Sequence, residues 1–287
     1  MTGSVSPSDG VGAVSPTKDS DPSQEEAGAL MLSRRRFEAL LFDWDGTAVA
    51  DRAAATDELR RQVENLCKLG MHLAVVSGTH VENIDGQLRA RPEGPGSLHL
   101  LLNRGSEVFR VDAAGPNLVH RRIASPGEDA ALSRSAQVAV ERLAARGLDA
   151  RVVSSRLNRR KIDLIPEPEW ADPPKARIAE LLEAVEARLR ARGIGGILEV
   201  VGLVEGAAAA AGLKNARVTS DAKHVEVGLT DKSDSARWIF ERWWELGVGA
   251  GLTLIAGDEL GPLGGLPGSD SRLLVADAKR DCRVGWR

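Results

Sequence analysis

Residues 37–52 read FEALLFDWDGTAVADR. The apolar run Ala39-Leu40-Leu41-Phe42 suits a buried strand, yet it ends in two carboxylates, Asp43 and Asp45, followed by Gly46-Thr47. Burying one unpaired carboxylate is costly, and two close together also repel. Side chains alternate along a strand, so Asp43 and Asp45 point one way and Trp44 the other. A hard cation between them removes the difficulty, because its charge reverses the local cost.

Working outward, strand and helix patterns alternate. Leu59, Val63 and Leu66 recur at helical spacing, and Gly70 closes that helix. MHLAVVSGTH (71–80) and LHLLLN (98–103) read as buried strands, then SEVFRVD (106–112) and NLVHRRI (117–123) as a hairpin. The first 120 residues thus read β-α-β-β-β, the start of a parallel sheet with helices on its faces.

The style changes at Ser125-Pro126, which opens a helix running to about Arg146. Two strands (150–155 and 160–166) follow, then a long helix begun by Asp172-Pro173-Pro174. An alanine-rich helix at about 201–212 and two more strands (216–220 and 223–229) complete the segment. This pattern predicts an α+β domain at 125–228 inserted into an α/β core formed by 34–124 and 229–287, with 1–33 a disordered tail. The parallel pattern resumes with a helix at 231–247, a buried strand LTLIAGDE (252–259) and a fifth strand, SRLLVAD (271–277). Three of the six tryptophans, Trp238, Trp243 and Trp244, fall on that helix and read as core and packing residues.

In a parallel α/β sheet, ligands sit beyond the carboxyl ends of the strands. Asp43 and Asp45, Ser77 and Asp258 end three separate apolar strands and should meet there. An oxygen-only set without a His or Cys cluster suits Mg²⁺ better than Zn²⁺.

Bulk properties are those expected of a soluble globular protein. The 287 residues are 43% hydrophobic and 28% charged, as in ordinary globular proteins. A net charge of −3 leaves no footprint for nucleic acid or an acidic membrane surface. Cys67 and Cys282 lie far apart, which suggests reduced thiols and a cytoplasmic location. No apolar run reaches the roughly 18 residues of a membrane span.

These residues resemble the motifs of the haloacid dehalogenase-like phosphohydrolases. LLFDWDGTAV is similar to the first motif, LAVVSGT to the second, GLTDKSDSARWIF to the third and LTLIAGDE to the fourth, in the family's order. The insertion at 125–228 matches the family's large α+β cap. The resemblance extends most to the sugar-phosphate branch, including trehalose-6-phosphate phosphatases, and to phosphatase modules that accompany some disaccharide-acting enzymes. It implies a Mg²⁺-dependent phosphatase of a small phosphorylated metabolite, possessing an associated or fused disaccharide-acting partner in some cases.

The resemblance also implies roles. Asp43 would be the nucleophile that forms an aspartyl-phosphate, and Asp45 the acid and base. Thr47, Ser77 and Gly78 would hold the phosphoryl group, and Lys232 would neutralise it. Asp43 and Asp258 would bind the metal, with the backbone carbonyl of Asp45 as a further ligand. At the position of the family's second motif-four acid stands Pro262; Glu259 and Asp270 are the substitutes, and Asp270 is favoured. Only 17 residues follow Asp270, so the chain reads as a fragment of a longer polypeptide or as one with an altered terminus. Asn103, at the end of the third strand, and Arg160 and Lys161, beside Arg159 on a strand of the insert, are candidate substrate contacts; a solvated basic edge is the competing reading for the latter. Two rival functions remain: a phosphosugar-binding accessory module that hydrolyses poorly, and a phosphosugar mutase of the same family. The retained Asp45 argues against the first, since a binding module has no use for a general acid.

Overall fold

The computed structural model describes residues 35–171, 173, 177–263 and 265–275. The expected tail at 1–33, the proline-led start of the second long helix at 172 and 174–176, and the chain end beyond 275 lie outside these residues. From Phe37 the chain forms one compact unit.

Its centre is a six-stranded sheet built from β1 (Ala39–Asp43), β2 (His72–Val76), β3 (Ser97–Leu102), β4 (Glu107–Asp112), β5 (Gly115–Arg121) and a late strand, Thr253–Ala256. The spatial order is late strand, β1, β2, β3, β4, β5. The first four run parallel; β4 and β5 form the antiparallel hairpin. This is the α/β core expected from the sequence.

Parallel strands are buried on both faces, and the two faces of β1 separate cleanly. Ala39 and Leu41 pack with Ala74, Val76, Ile239 and Trp243 on one face. Phe42 and Trp44 pack with Leu73, Val75, Val63 and Ile84 on the other. The second face is covered by α1 (Asp57–Lys68) and α2 (Val81–Leu88). Helix α2 was not expected. It has eight residues, one of them Gly86, and only Ile84 and Leu88 buried, too short a stripe to register as helical period.

Residues between β5 and the last helix build a second sheet. Helix α3 (Pro126–Ala145) starts at Ser125, whose side chain accepts from Glu128 N while the Glu128 side chain accepts from Ser125 N. Strands β6 (Arg151–Arg156) and β7 (Arg159–Asp163), helices α4 (Ile178–Arg190) and α5 (Ile197–Ala210), and strands β8 (Arg217–Ser220) and β9 (His224–Gly228) follow. The antiparallel order is β6-β7-β9-β8. Leu132, Leu143, Ile162, Val185, Val200 and Val225 belong to an apolar cluster of their own under this sheet.

The chain then returns through α6 (Lys232–Glu245), capped by Asp231, to β10 (Thr253–Ala256), the late strand beside β1. Trp243 is buried, Trp238 packs against His99 at 5.9 Å, and Trp244 is exposed. Of the fifth strand expected at 271–277, the described residues 271–275 form none. Ser269–Leu273 is a 3₁₀ turn, and Leu273 and Val275 pack into the α6 face instead. The tight turn carries Asp270 back against Gly257, which an extended strand leaving the sheet would not do. Among the described residues, no helix is long and apolar enough to cross a membrane.

Candidate active site

Register decides which side chains meet. Asp43 pairs with Val76, so Ser77 emerges beside it; Phe42 pairs with Ala256, so Gly257 and Asp258 emerge on the other side. Asp43 shares the face of Ala39 and Leu41, the face covered by α6. Lys232 is the first residue of α6, and its Nζ donates to Asp43 Oδ1 at 2.7 Å and to Asp270 Oδ1 at 2.5 Å. The other Asp270 oxygen accepts from Glu259 N at 2.9 Å. Carboxylate oxygens of Asp43, Asp258 and Asp270 all lie within 4.8 Å of one another.

Electrostatics at this cluster are unbalanced. Burial pushes the Asp43 carboxyl up to about 6; Asp270 and Asp258 add to the rise, while Lys232 opposes it. For Lys232 burial lowers the pKa, but Asp43 and Asp270 outweigh it and the net shift is upward. The Lys232 ammonium thus pairs with two of three convergent carboxylates, and a cation fits the donor set: oxygen ligands only, gathered in one place.

Two glycines make room for this. Gly46 has φ +90°, a conformation glycine adopts without strain, and a Cβ there would lie 2.5 Å from Asp258 Oδ2. A Cβ on Gly257 would lie 2.6 Å from Asp270 Cγ. Gly257→Ala should therefore displace Asp270 and weaken Mg²⁺ binding about tenfold or more in a calorimetric titration; unchanged binding would remove Asp270 from the cation site.

The remaining candidates divide. The Asp45 carboxylate is not in the convergent trio, as suits a residue expected to offer a cation its backbone carbonyl, and it lines the same cleft as Asp43. Ser77, 2% exposed, and Gly78 both line that cleft. Thr47 is not among the cleft-lining residues, and its Oγ1 donates to Asp258 Oδ1 at 3.3 Å. Asn103 is buried with φ +49°, and its amide donates to Glu107 rather than lining the cleft. Arg160 is turned away as well. Its guanidinium meets Asp129 at 2.7 Å and Ser133 at 3.0 Å on α3. Strand alternation sends Arg159 and Lys161 the opposite way, into the cleft.

The sequence reading missed the partners of those two. Glu226 on β9, 2% exposed, lies 2.8 Å from Arg104 Nε, 3.2 Å from Arg159 Nη1 and 2.9 Å from Lys161 Nζ. Burial would raise its pKa, but these three cations outweigh that and hold it at about 2. Arg104, from the turn after β3, also lines the cleft. No local signal marked Glu226: within HVEVG it looks like the solvent-facing member of an alternating strand.

No protein-family model and no curated protein matches the sequence. Among solved structures, the chain is similar to IMP-nucleotidase of Plasmodium falciparum. The N-terminally truncated form aligns with a TM-score of 0.56 at 13% identity, over 91% of this chain and 68% of that one. Its IMP-bound form aligns with a TM-score of 0.57 at 14% identity, over 88% of this chain and 68% of that one. At such identities the likeness is one of fold.

Proposed function

We propose that this chain is a Mg²⁺-dependent phosphatase of the haloacid dehalogenase type, acting on a small phosphorylated metabolite, most simply a sugar phosphate. The observation that carries the reading is the cluster at the carboxyl edge of the sheet: a buried Asp43 held by Lys232, with Asp258 and Asp270 converging on it.

In this reading an Asp43 carboxylate oxygen attacks phosphorus, the bond to the alcohol oxygen breaks, and Asp45 gives that oxygen a proton. The aspartyl-phosphate is then cleaved by water whose proton Asp45 takes, releasing phosphate. Ser77 and the neighbouring backbone hold the phosphoryl oxygens, and Lys232 neutralises charge on them and on Asp43. Asp43, Asp258 and Asp270 would hold Mg²⁺, which when bound supplies charge neutralisation on the phosphoryl oxygens. Residues 125–228 serve as a cap that closes the cleft against water.

The cleft runs from Asp43 and Asp45 to the second sheet and has a volume of about 530 Å³, well beyond the needs of a phosphoryl group alone. Among its described lining residues none is aromatic; basic and acidic side chains mix along it. That lining suits a hydroxyl-rich skeleton, whose hydroxyls both donate and accept, better than a stacked base. Phosphate release should be screened across sugar phosphates and nucleoside monophosphates with Mg²⁺. Chelation should lower turnover about 100-fold or more, and Ca²⁺, which prefers more ligands at longer distance, should restore it poorly. Full turnover after exhaustive chelation would refute the metal, and no release from any ester would favour a binding module.

A further inference from the structure

We propose that Arg104, Arg159 and Lys161, organised by Glu226, form a second anion subsite in the cleft, so that the preferred substrate carries another anionic group besides the phosphoryl group bound at Asp43. This rests on the phosphatase reading for the position of the scissile group, and it adds the substrate's charge.

Three observations support it. The first is placement: Arg104, Arg159 and Lys161 line the same continuous cleft as Asp43. Arg104 and Arg159 flank Gly78, where a Cβ would lie 3.6 Å from Arg104 Nε and 3.5 Å from Arg159 Nη1. The second is charge. Four cations (Arg104, Arg156, Arg159, Lys161) line the cleft with the carboxylates Asp221 and Glu226, and Glu259 also acts on Arg104. Both carboxylates are held ionised: burial would raise their pKa values, but the cations around them bring both below the usual range. The four cations outnumber Asp221, Glu226 and Glu259.

The third is incomplete pairing in a buried place. The Arg159 side chain is 5% exposed, and its Nε has no hydrogen-bond partner among the described residues. Its Nη1 reaches Glu226 and its Nη2 the carbonyl oxygen of Gly78. Burial above all, with Arg104 and Arg156 beside it, lowers its pKa to about 10 against the opposing pull of Glu226. A buried guanidinium with donor capacity to spare and like-charged neighbours is stabilised by an incoming anion. Lys232 does not supply this function, because its ammonium is committed to Asp43 and Asp270.

Glu226 acts as a positioning residue. It pairs with one cation of the first sheet's turn and two of the second sheet, and so holds groups from both layers together in the cleft.

The test is calorimetric, with Mg²⁺ present, on the Asp43→Asn chain so that ligand is bound without turnover. Fructose 1,6-bisphosphate is compared with fructose 6-phosphate. The bisphosphate should bind about tenfold or more tightly, the gain expected for a charge-assisted contact. Arg159→Gln in the same background should abolish that preference, and Lys161→Gln, at a less buried position, should reduce it with the melting temperature kept. Arg159→Lys should restore part of it. Equal affinity for the two sugars, a preference that survives both substitutions, or equal weakening of both ligands would overturn the subsite. Because the readout is binding, it stands even if the wild-type chain releases no phosphate, the result that would sink the proposed activity.

Discussion

Asp43→Asn should reduce phosphate release on the order of 10⁴-fold or more, the scale seen when a covalent nucleophile is removed, while the chain stays folded. The amide keeps the shape of the carboxylate but cannot form the aspartyl-phosphate. Two electrostatic effects on stability oppose each other. Burial raises the Asp43 carboxyl to about 6, above its ordinary value of 3.8, so in the cation-free protein its ionisation above pH 6 opposes folding. Replacing it by an uncharged amide removes that opposition, although Lys232 gives up one of two ion pairs. Thermal melting in chelator near pH 8 should therefore stay close to the wild-type curve. Multiple turnovers by a purified, folded variant would rule Asp43 out as the nucleophile.

Lys232→Met, unlike Asp43→Asn, should lower stability. It leaves Asp43, Asp258 and Asp270 converging within 4.8 Å without their ammonium. Breaking a buried pair from one side typically costs about 3–5 kcal/mol, and melting in chelator should show it. Added Mg²⁺ should recover part of that loss, since a cation now meets an uncompensated carboxylate cluster. Phosphate release should fall about 100-fold or more, as when a positioned charge-stabilising group is lost. A variant that melts like the wild type and is not further stabilised by Mg²⁺ would mean that the three carboxylates do not share one charge balance.

The gathering of Asp43, Ser77, Asp258 and Lys232 was legible because each sits at a local boundary. Three follow apolar strand runs, and the fourth opens a helix behind the capping Asp231. Asp270 needed a further step, from the absence of an acid at Pro262 to the return of the loop. The charged end of the cleft was much less legible. Arg159-Arg160-Lys161 announces a basic strand, but only α3 lying on one side shows that Arg160 turns toward Asp129. Glu226 and Arg104 are 122 positions apart, and nothing local to either names the other. The same limit explains the elements that were misread. Helix α2 has too few apolar positions for periodicity to show, and the apolar residues of 271–277 carry no sign that the chain must turn sharply there.

The pairing of β1 with β10 has a consequence for how the molecule is made. Thr253 lies beside Ala39, more than 200 positions earlier in the chain, and the second sheet with its own apolar cluster lies in the interval. Contacts inside that interval span shorter separations and can form earlier, whereas closing so long a loop is entropically unfavourable until many partners are in place. During synthesis the nucleophile strand emerges long before the strand that carries Asp258 to it. Completion of the reactive edge thus coincides with the last steps of folding, and partly folded chains lack a complete cation site.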